Sequence, residues 1–164
     1  MEGNYVGAVF SDIRKAFDTV WHDALVMKLR AACLYGRALK WINSFLSDRT
    51  QSTLVEGYVS RPAPLHGGFP QGAILSPLLF SIYVNDMPSD GSTNLFADDT
   101  SSYFISPSSS LLSSRLQERV DSLNSWFQTW RLSINANKSA VMVFRSPKMA
   151  HVALCVKVNS IPIP

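Results

Sequence analysis

Apolar positions change their period several times along the chain, and each change marks an element. Residues 5–13, YVGAVFSDI, are rich in β-branched and aromatic side chains with no regular polar alternation. That pattern predicts a strand apolar on both faces. In DALVMKLRAACLYG the apolar residues Leu25, Leu29 and Ala32 fall at helical spacing, with Gly36 as the predicted helix stop. RALKWINSFLSD repeats the spacing through Leu39, Ile42 and Leu46, predicting a second helix. QSTLVEGYVS returns to short β-prone runs, a strand pair hinged near Glu56–Gly57.

The character then shifts abruptly. Gly67, Gly68, Pro70 and Gly72 mark a loop, and the run from Ser76 to Asp86 has the length and apolarity of a helix. Ser76 before Pro77 offers an N-cap followed by proline at the first helical position. Residues 94–105 predict a hairpin, with Asp98 and Asp99 at or beside its turn. The clearest helix is PSSSLLSSRLQERVDSLNSWFQTWRL, where Leu112, Leu116, Val120, Leu123, Trp126 or Phe127, and Trp130 recur every three or four residues. At that spacing the Trp126–Phe127–Trp130 cluster is expected to pack into a core, with a base-stacking platform as the alternative. AVMVF predicts a strand, and VALCVKVNSIPIP a hairpin around Asn159–Ser160. No internal repeat or linker interrupts the series, so one mixed domain of helices and strands is expected.

Bulk properties narrow this only slightly. A chain of 164 residues, 46% hydrophobic and 16% charged, suits one globular domain. Fifteen basic against twelve acidic residues give a formal charge of +3, which permits a nucleic-acid partner without specifying one. Cys33 and Cys155 stand far apart, and His22, His66 and His151 are scattered, so no zinc-type spacing exists. Two lone cysteines fit a reduced, intracellular protein better than a disulfide scaffold. The N-terminus lacks a signal-peptide pattern, and the longest apolar run, AILSPLLFSIYV, is too short for a bilayer. A soluble protein without a membrane partner is expected.

Chemistry concentrates in carboxylates. Asp12 closes the first apolar strand, and Asp98 and Asp99 end another apolar run. A hard cation such as Mg²⁺ prefers oxygen, typically one or two carboxylates together with substrate phosphates. Two such ions about 3.5–4 Å apart stabilise the attacking and leaving oxygens of a phosphoryl transfer. Three aspartates at adjacent strand ends would suit that task. An Asp-Asp pair also serves simply to hydrogen-bond a turn, and neighbouring side chains diverge across a strand.

The order of four segments changes the balance. VFSDIRKAFDTVWHDAL, GGFPQGAILSPLLFSIYVNDMP, NLFADDT and LSINANKSAVMVF follow one another in that sequence. Together they resemble the palm of reverse transcriptases from non-LTR retrotransposons, the jockey-like elements above all, over nearly the whole chain. The resemblance implies an α+β fold, a polymerase palm of ferredoxin-like topology with an antiparallel sheet backed by helices. It implies that Asp12, the main-chain carbonyl of Ile13, Asp98 and Asp99 form the metal site, with Asp98 ranked above Asp99 as direct ligand. The cofactor would be two Mg²⁺ ions, with Mn²⁺ as substitute. Phe17 matches the position under the incoming sugar, where a bulky ring leaves no room for a ribose 2′-OH; a buried core aromatic is the plainer alternative. Gln71 and Gly72 match the loop that touches the nascent base pair, although Pro-Gln-Gly alone is an ordinary turn. Phe69 departs from the smaller aliphatic residue usual there. Lys138 matches a general acid for the leaving pyrophosphate, or is a solvated surface lysine. Arg14, Lys15 and Arg49 are candidates for phosphate contact, which needs only charge and reach. Asp18, Trp21 and His22 are expected to be structural.

The implied activity is RNA-directed DNA synthesis: attack by a primer 3′-OH on the α-phosphate of a deoxynucleoside triphosphate. RNA template, DNA primer, dNTPs and other regions of a parent polyprotein are the expected partners. Residues 1–164 correspond to a palm truncated at both ends, without fingers or thumb. An inactive remnant that binds nucleic acid or a partner, and a metal-dependent nuclease, are the alternatives. The implied location is the nucleus, for target-site integration, or the cytoplasm.

Overall fold

In chain order the elements are β1 (Tyr5–Ser11), α1 (His22–Ala31), α2 (Gly36–Leu46), the two-residue strands β2 (Thr50–Gln51), β3 (Leu54–Val55), β4 (Tyr58–Val59) and β5 (Ala63–Pro64), then α3 (Leu75–Val84), β6 (Thr93–Phe96), β7 (Asp99–Ser106), α4 (Ser109–Thr129), β8 (Ala140–Phe144), β9 (Lys157–Val158) and β10 (Ile161–Pro162). The computed structural model describes residues 3–164. Its backbone forms two compact units, one of the N-terminal residues through Arg14 together with Asp86–Pro164, the other of Lys15–Asn85.

In the first unit β1 lies between β7 and β8 and β6 closes the far edge, giving the order β6-β7-β1-β8. Every pairing is antiparallel. A β-α-β-β-α-β chain order with the first strand central between the third and fourth is the ferredoxin-like arrangement. Alternation gives the sheet two unlike faces. Gly7, Val9 and Ser11 face α4, with Ser102, Phe104 and Ser106 opposite them or beside them on β7. Phe10, Tyr103, Ile105, Met142 and Phe144 occupy the other face and are exposed. Small residues on the buried face let α4 approach closely: a Cβ at Gly7 would lie 2.8 Å from Leu116 Cδ1 and 3.0 Å from Leu112 Cδ2. Leu112, Leu116, Val120, Leu123 and Phe127 are buried along α4, the stripe its period predicts. The β9–β10 hairpin turns at Asn159–Ser160, both with positive φ, as a two-residue turn between antiparallel strands prefers. Beyond it, the amide of Val141 on β8 donates to the carbonyl of Pro164 (2.8 Å).

Ahead of β6, Asp90 accepts hydrogen bonds from the Ser92 hydroxyl and amide and pairs with Arg119 of α4. The Ser92 hydroxyl does most to lower its pKa to about 2, partial burial opposes that, and the Ser92 amide and Arg119 add to the lowering.

In the second unit α1 packs against α2 and α3. Lys28, buried on α1, donates to the Tyr83 carbonyl at 2.6 Å and sits over the Tyr83 ring. A ribbon of β2–β5 and β3–β4 pairs projects between α2 and α3 in the chain, turning at Glu56–Gly57. Among the described residues no helix is long and apolar enough to cross a membrane.

Two sequence-based boundaries are corrected. Gly36 does not stop α1; it opens α2. The stop comes at Ala31, where Cys33 takes the left-handed position (φ 62°) and Leu34 N–H reaches back to the Leu29 carbonyl. This is a Schellman ending without glycine, and α4 ends the same way at Arg131. Ser76 does not cap α3, which starts at Leu75; its hydroxyl donates instead to the Pro70 carbonyl at 2.7 Å. The loop is already winding there, with Ala73 N–H on the Pro70 carbonyl.

A depressed carboxyl contributes stability above its unfolded pKa, lost as pH falls through the folded one. Asp90→Asn is therefore expected to lower the urea midpoint at pH 7, with the difference closing as pH falls from 3.8 toward about 2. Unfolding curves of both proteins across that range test this. Gly68 holds φ +73° with the Asp18 backbone 2.6 Å from where a Cβ would sit. Gly68→Ala is expected to cost about 1–3 kcal/mol or more, read as a lower midpoint at neutral pH.

Candidate active site

The β1–β7 register decides which carboxylates meet. Ser11 pairs with Thr100 and Phe10 with Ser101, so the next rung sets Asp12 against Asp99 on the exposed face. Both line a hollow of about 260 Å³ at the end of that face, together with Phe10, Asn94, Ser101 and Lys138. Asp99 is exposed and Asp12 half-buried. Asp98 belongs to the two-residue turn between β6 and β7 and lies outside the lining of the hollow. Ala97, before it, has φ 54°, left-handed backbone that favours glycine in a tight hairpin. An alanine held there stores strain of about 1–3 kcal/mol directly beside the aspartates.

Ile13 is buried and forms an isolated bridge with Ile134. That bridge bonds through its flanks, Arg14 N–H to the Ser133 carbonyl and Asn135 N–H to the Asp12 carbonyl, each 2.8 Å. The Ile13 carbonyl takes no part in it. Lys138 stands in the turn that follows, on an exposed backbone before β8. Arg14 is exposed and lines neither this hollow nor the one described next. Thr100, beside Asp99, is buried, and its hydroxyl has no hydrogen-bond partner among the described residues.

Among the described residues no three acidic, histidine or cysteine side chains converge as a ready-made metal cage. The donor set nevertheless fits Mg²⁺, which is commonly held by one or two carboxylates and completes its shell with water and substrate phosphate.

The second unit holds a separate hollow of about 650 Å³ lined by Lys15, Asp18, Arg49, Gly68, Phe69 and Gln71, among others. Backbone bonds stitch its two sides: Gly68 N–H to the Val20 carbonyl (2.9 Å) and Phe69 N–H to the Phe17 carbonyl (2.7 Å). The Gly68 carbonyl accepts from Arg49 Nη1 and His22 Nε2, both at 2.7 Å. Because a carbonyl only accepts, His22 must carry its proton on Nε2. Arg49 thus has a structural tie in addition to the charge it presents. Gln71 Nε2 donates to Asp18 Oδ1 at 2.9 Å, which turns the amide oxygen away from the carboxylate. Gly72 follows with open space where a Cβ would be. Phe17 stacks on Phe80 with centroids 4.9 Å apart and meets the buried Phe69 edge-on at 6.4 Å. Its half-exposed ring is therefore fixed by aromatic packing.

Sequence reasoning missed Ser139. Ser139 is buried and bonds both the Asn135 carbonyl and the Asp12 amide. Its local signal is a serine four residues after Asn135, the spacing at which a hydroxyl reaches back to a carbonyl. The bond to Asp12 spans too much sequence to be read that way.

Comparison with known proteins gives the family. Residues 2–159 match the family model described as reverse transcriptase (RNA-dependent DNA polymerase). The chain is 36% identical over 151 residues to the RNA-directed DNA polymerase from mobile element jockey of Drosophila melanogaster, covering 85% of this chain and 16% of that protein. It is 32% identical over 148 residues to the probable RNA-directed DNA polymerase from transposon BS of the same organism, covering 82% of this chain and again 16% of the relative. The chain thus spans about a sixth of the length of these curated relatives. Among solved structures it is similar in fold to apo telomerase from Candida tropicalis, with a TM-score of 0.61 at 15% identity over 88% of this chain and 32% of that one. With the aspartates on one sheet face, the ferredoxin-like strand order and a family match along almost its full length, the chain belongs to the reverse transcriptase (RNA-dependent DNA polymerase) family.

Proposed function

We propose that the chain is the palm of an RNA-directed DNA polymerase from a jockey-like non-LTR retrotransposon, extending a DNA primer on an RNA template. The observation that carries this reading is the shared hollow of Asp12, Asp99 and Lys138 at one end of the exposed sheet face. Two carboxylates at strand ends and a lysine in the turn before β8 are what a phosphoryl transfer needs, since that chemistry rests on positioning and charge stabilisation. Two bound Mg²⁺ ions, or Mn²⁺ in their place, would supply Lewis-acid stabilisation of the attacking and leaving oxygens. Asp12, Asp98, Asp99 and the Ile13 carbonyl are the residues that would hold them. The motif order ranks Asp98 first as direct ligand, from its turn, while the register sets Asp99 against Asp12 in the hollow. Lys138 holds the proton that the departing pyrophosphate takes up.

The second unit, taken by itself, carries candidate groups for a nucleotide. Gln71 presents its amide oxygen, Gly72 leaves space for close approach, and Phe17 offers a ring locked by Phe69 and Phe80. A fixed ring of that size excludes a 2′-hydroxyl by clash, which discriminates by repulsion. Lys15 and Arg49 provide positive charge for phosphates, and Arg14 does so from the first unit.

Primer extension on a primed RNA template, in the longest natural polypeptide containing this chain, tests the metal site. Asp12→Asn and Asp98→Asn are each expected to abolish Mg²⁺-dependent extension, while Asp99→Asn lowers it by about 10–100-fold. Normal extension by the Asp12 or Asp98 variant would refute the assignment. The same assay tests the sugar contact. Phe17→Val is expected to reduce the preference for dNTPs over rNTPs by about tenfold or more. An unchanged ratio in a stably folded variant would leave Phe17 a core residue only.

A further inference from the structure

We infer that Ser139 is a positioning residue for the reaction, fixing Asp12 to the turn that carries Lys138. The inference rests on the metal-site reading above, and its physical basis is a closed circuit of hydrogen bonds. The Asp12 amide donates to Ser139 Oγ (3.3 Å), Ser139 Oγ–H donates to the Asn135 carbonyl (2.9 Å), and the Asn135 amide donates to the Asp12 carbonyl (2.8 Å). Both main-chain polar groups of Asp12 are thereby committed to residues 135–139. The Asn135 carbonyl also receives the amides of Lys138 and Ser139, each at 3.0 Å. One buried hydroxyl, 2% exposed, thus joins the end of β1 to the turn around Lys138.

Each member of the circuit has a definite share. A serine hydroxyl has one donor and two acceptor sites, and here it accepts from Asp12 while donating to Asn135. Alanine would remove both bonds and strand the Asp12 amide. The Ile13–Ile134 bridge would remain, since it bonds through Arg14 and Asn135. The strand end would therefore stay attached while losing its fixed setting. Asp12 and Lys138 line the same hollow, and this circuit ties the backbones that carry them. Groups that hold a metal-binding or catalytic side chain in place commonly matter about 10–100-fold in activity without touching substrate.

Two measurements on the same variants test the inference. In the chain itself, Ser139→Ala is expected to speed amide hydrogen exchange at Asp12 by about tenfold or more, with α4 amides unchanged. In primer extension by the longest natural polypeptide, the same change is expected to lower kcat by about 10–100-fold, with the KM for dNTP nearly constant. Ser139→Thr, which keeps the hydroxyl, should restore both. A wild-type kcat for Ser139→Ala, or unchanged exchange at Asp12, overturns the inference. So does a fall in kcat matched by a general loss of protection across α4, because that is a folding defect. If the alanine variant does not fold, Ser139→Cys is judged by the same criteria. Asp12→Asn separates the two levels of reading. Full activity there refutes the metal site, and inactive Asp12→Asn beside fully active Ser139→Ala refutes only the role of Ser139. If the parent polypeptide extends no primer, the proposed function fails and exchange at Asp12 still decides the tie.

Discussion

The antiparallel register between β1 and β7 is the constraint on which the remainder depends. It pairs Ser11 with Thr100 and so brings Asp12 and Asp99 to one face. Side chains repeat every two residues along a strand, so a slip of one residue would turn Asp99 under α4, where a carboxylate would lose its solvation. The buried face resists such a slip by volume. Gly7 leaves room for Leu112 and Leu116, and Ser102 and Ser106 are small hydroxyl residues on the same side. Shifted by one, Tyr103 and Ile105 would have to enter that narrow layer. Packing of α4 and placement of the carboxylates are therefore one problem, solved by the same alternation.

Much of this was legible from local pattern. The buried stripe of α4 follows directly from its leucines, and the turns at Glu56–Gly57 and Asn159–Ser160 lie where short β-prone runs are interrupted. The aspartates of FADDT were expected at or beside a hairpin turn, and they stand there. Helix ends were less readable. Cys33 and Arg131 take left-handed positions that sequence rules reserve for glycine, because backbone bonds to Leu29 and Phe127 offset their strain. Ser76 was assigned a cap from its neighbour Pro77, yet its hydroxyl is claimed by Pro70. The motif order proposes roles for Asp12, Asp98 and Gln71. Neither periodicity nor motif could supply the contacts of Ser139 or the Asp18–Gln71 bond, which join residues 127 and 53 positions apart.

The two units carry different kinds of chemistry. Oxygen donors and the lysine belong to the sheet unit, whereas the amide, the aromatic ring and most of the candidate phosphate cations belong to the helical one. In the helical unit, side chains are held by their neighbours. Asp18 orients Gln71, and Arg49 and His22 share the Gly68 carbonyl. A neutral His22 needs its proton on Nε2, which leaves Nδ1 as an acceptor and makes direct acid–base work by this ring unnecessary to explain its place.

The bond from Val141 to the Pro164 carbonyl has a consequence for behaviour at high concentration. β8 is an outer strand of the sheet, and outer strands invite pairing with other chains. The segment lying against it contains Pro162 and Pro164, which have no amide hydrogen to offer a further strand. Ile163, between them, has its N–H on the Val156 carbonyl, and Ile161 pairs with Val158, so the outer edge of β8 is already covered. Sheet growth from one molecule to the next is thereby discouraged on the same side from which β8 supports the strand bearing Asp12.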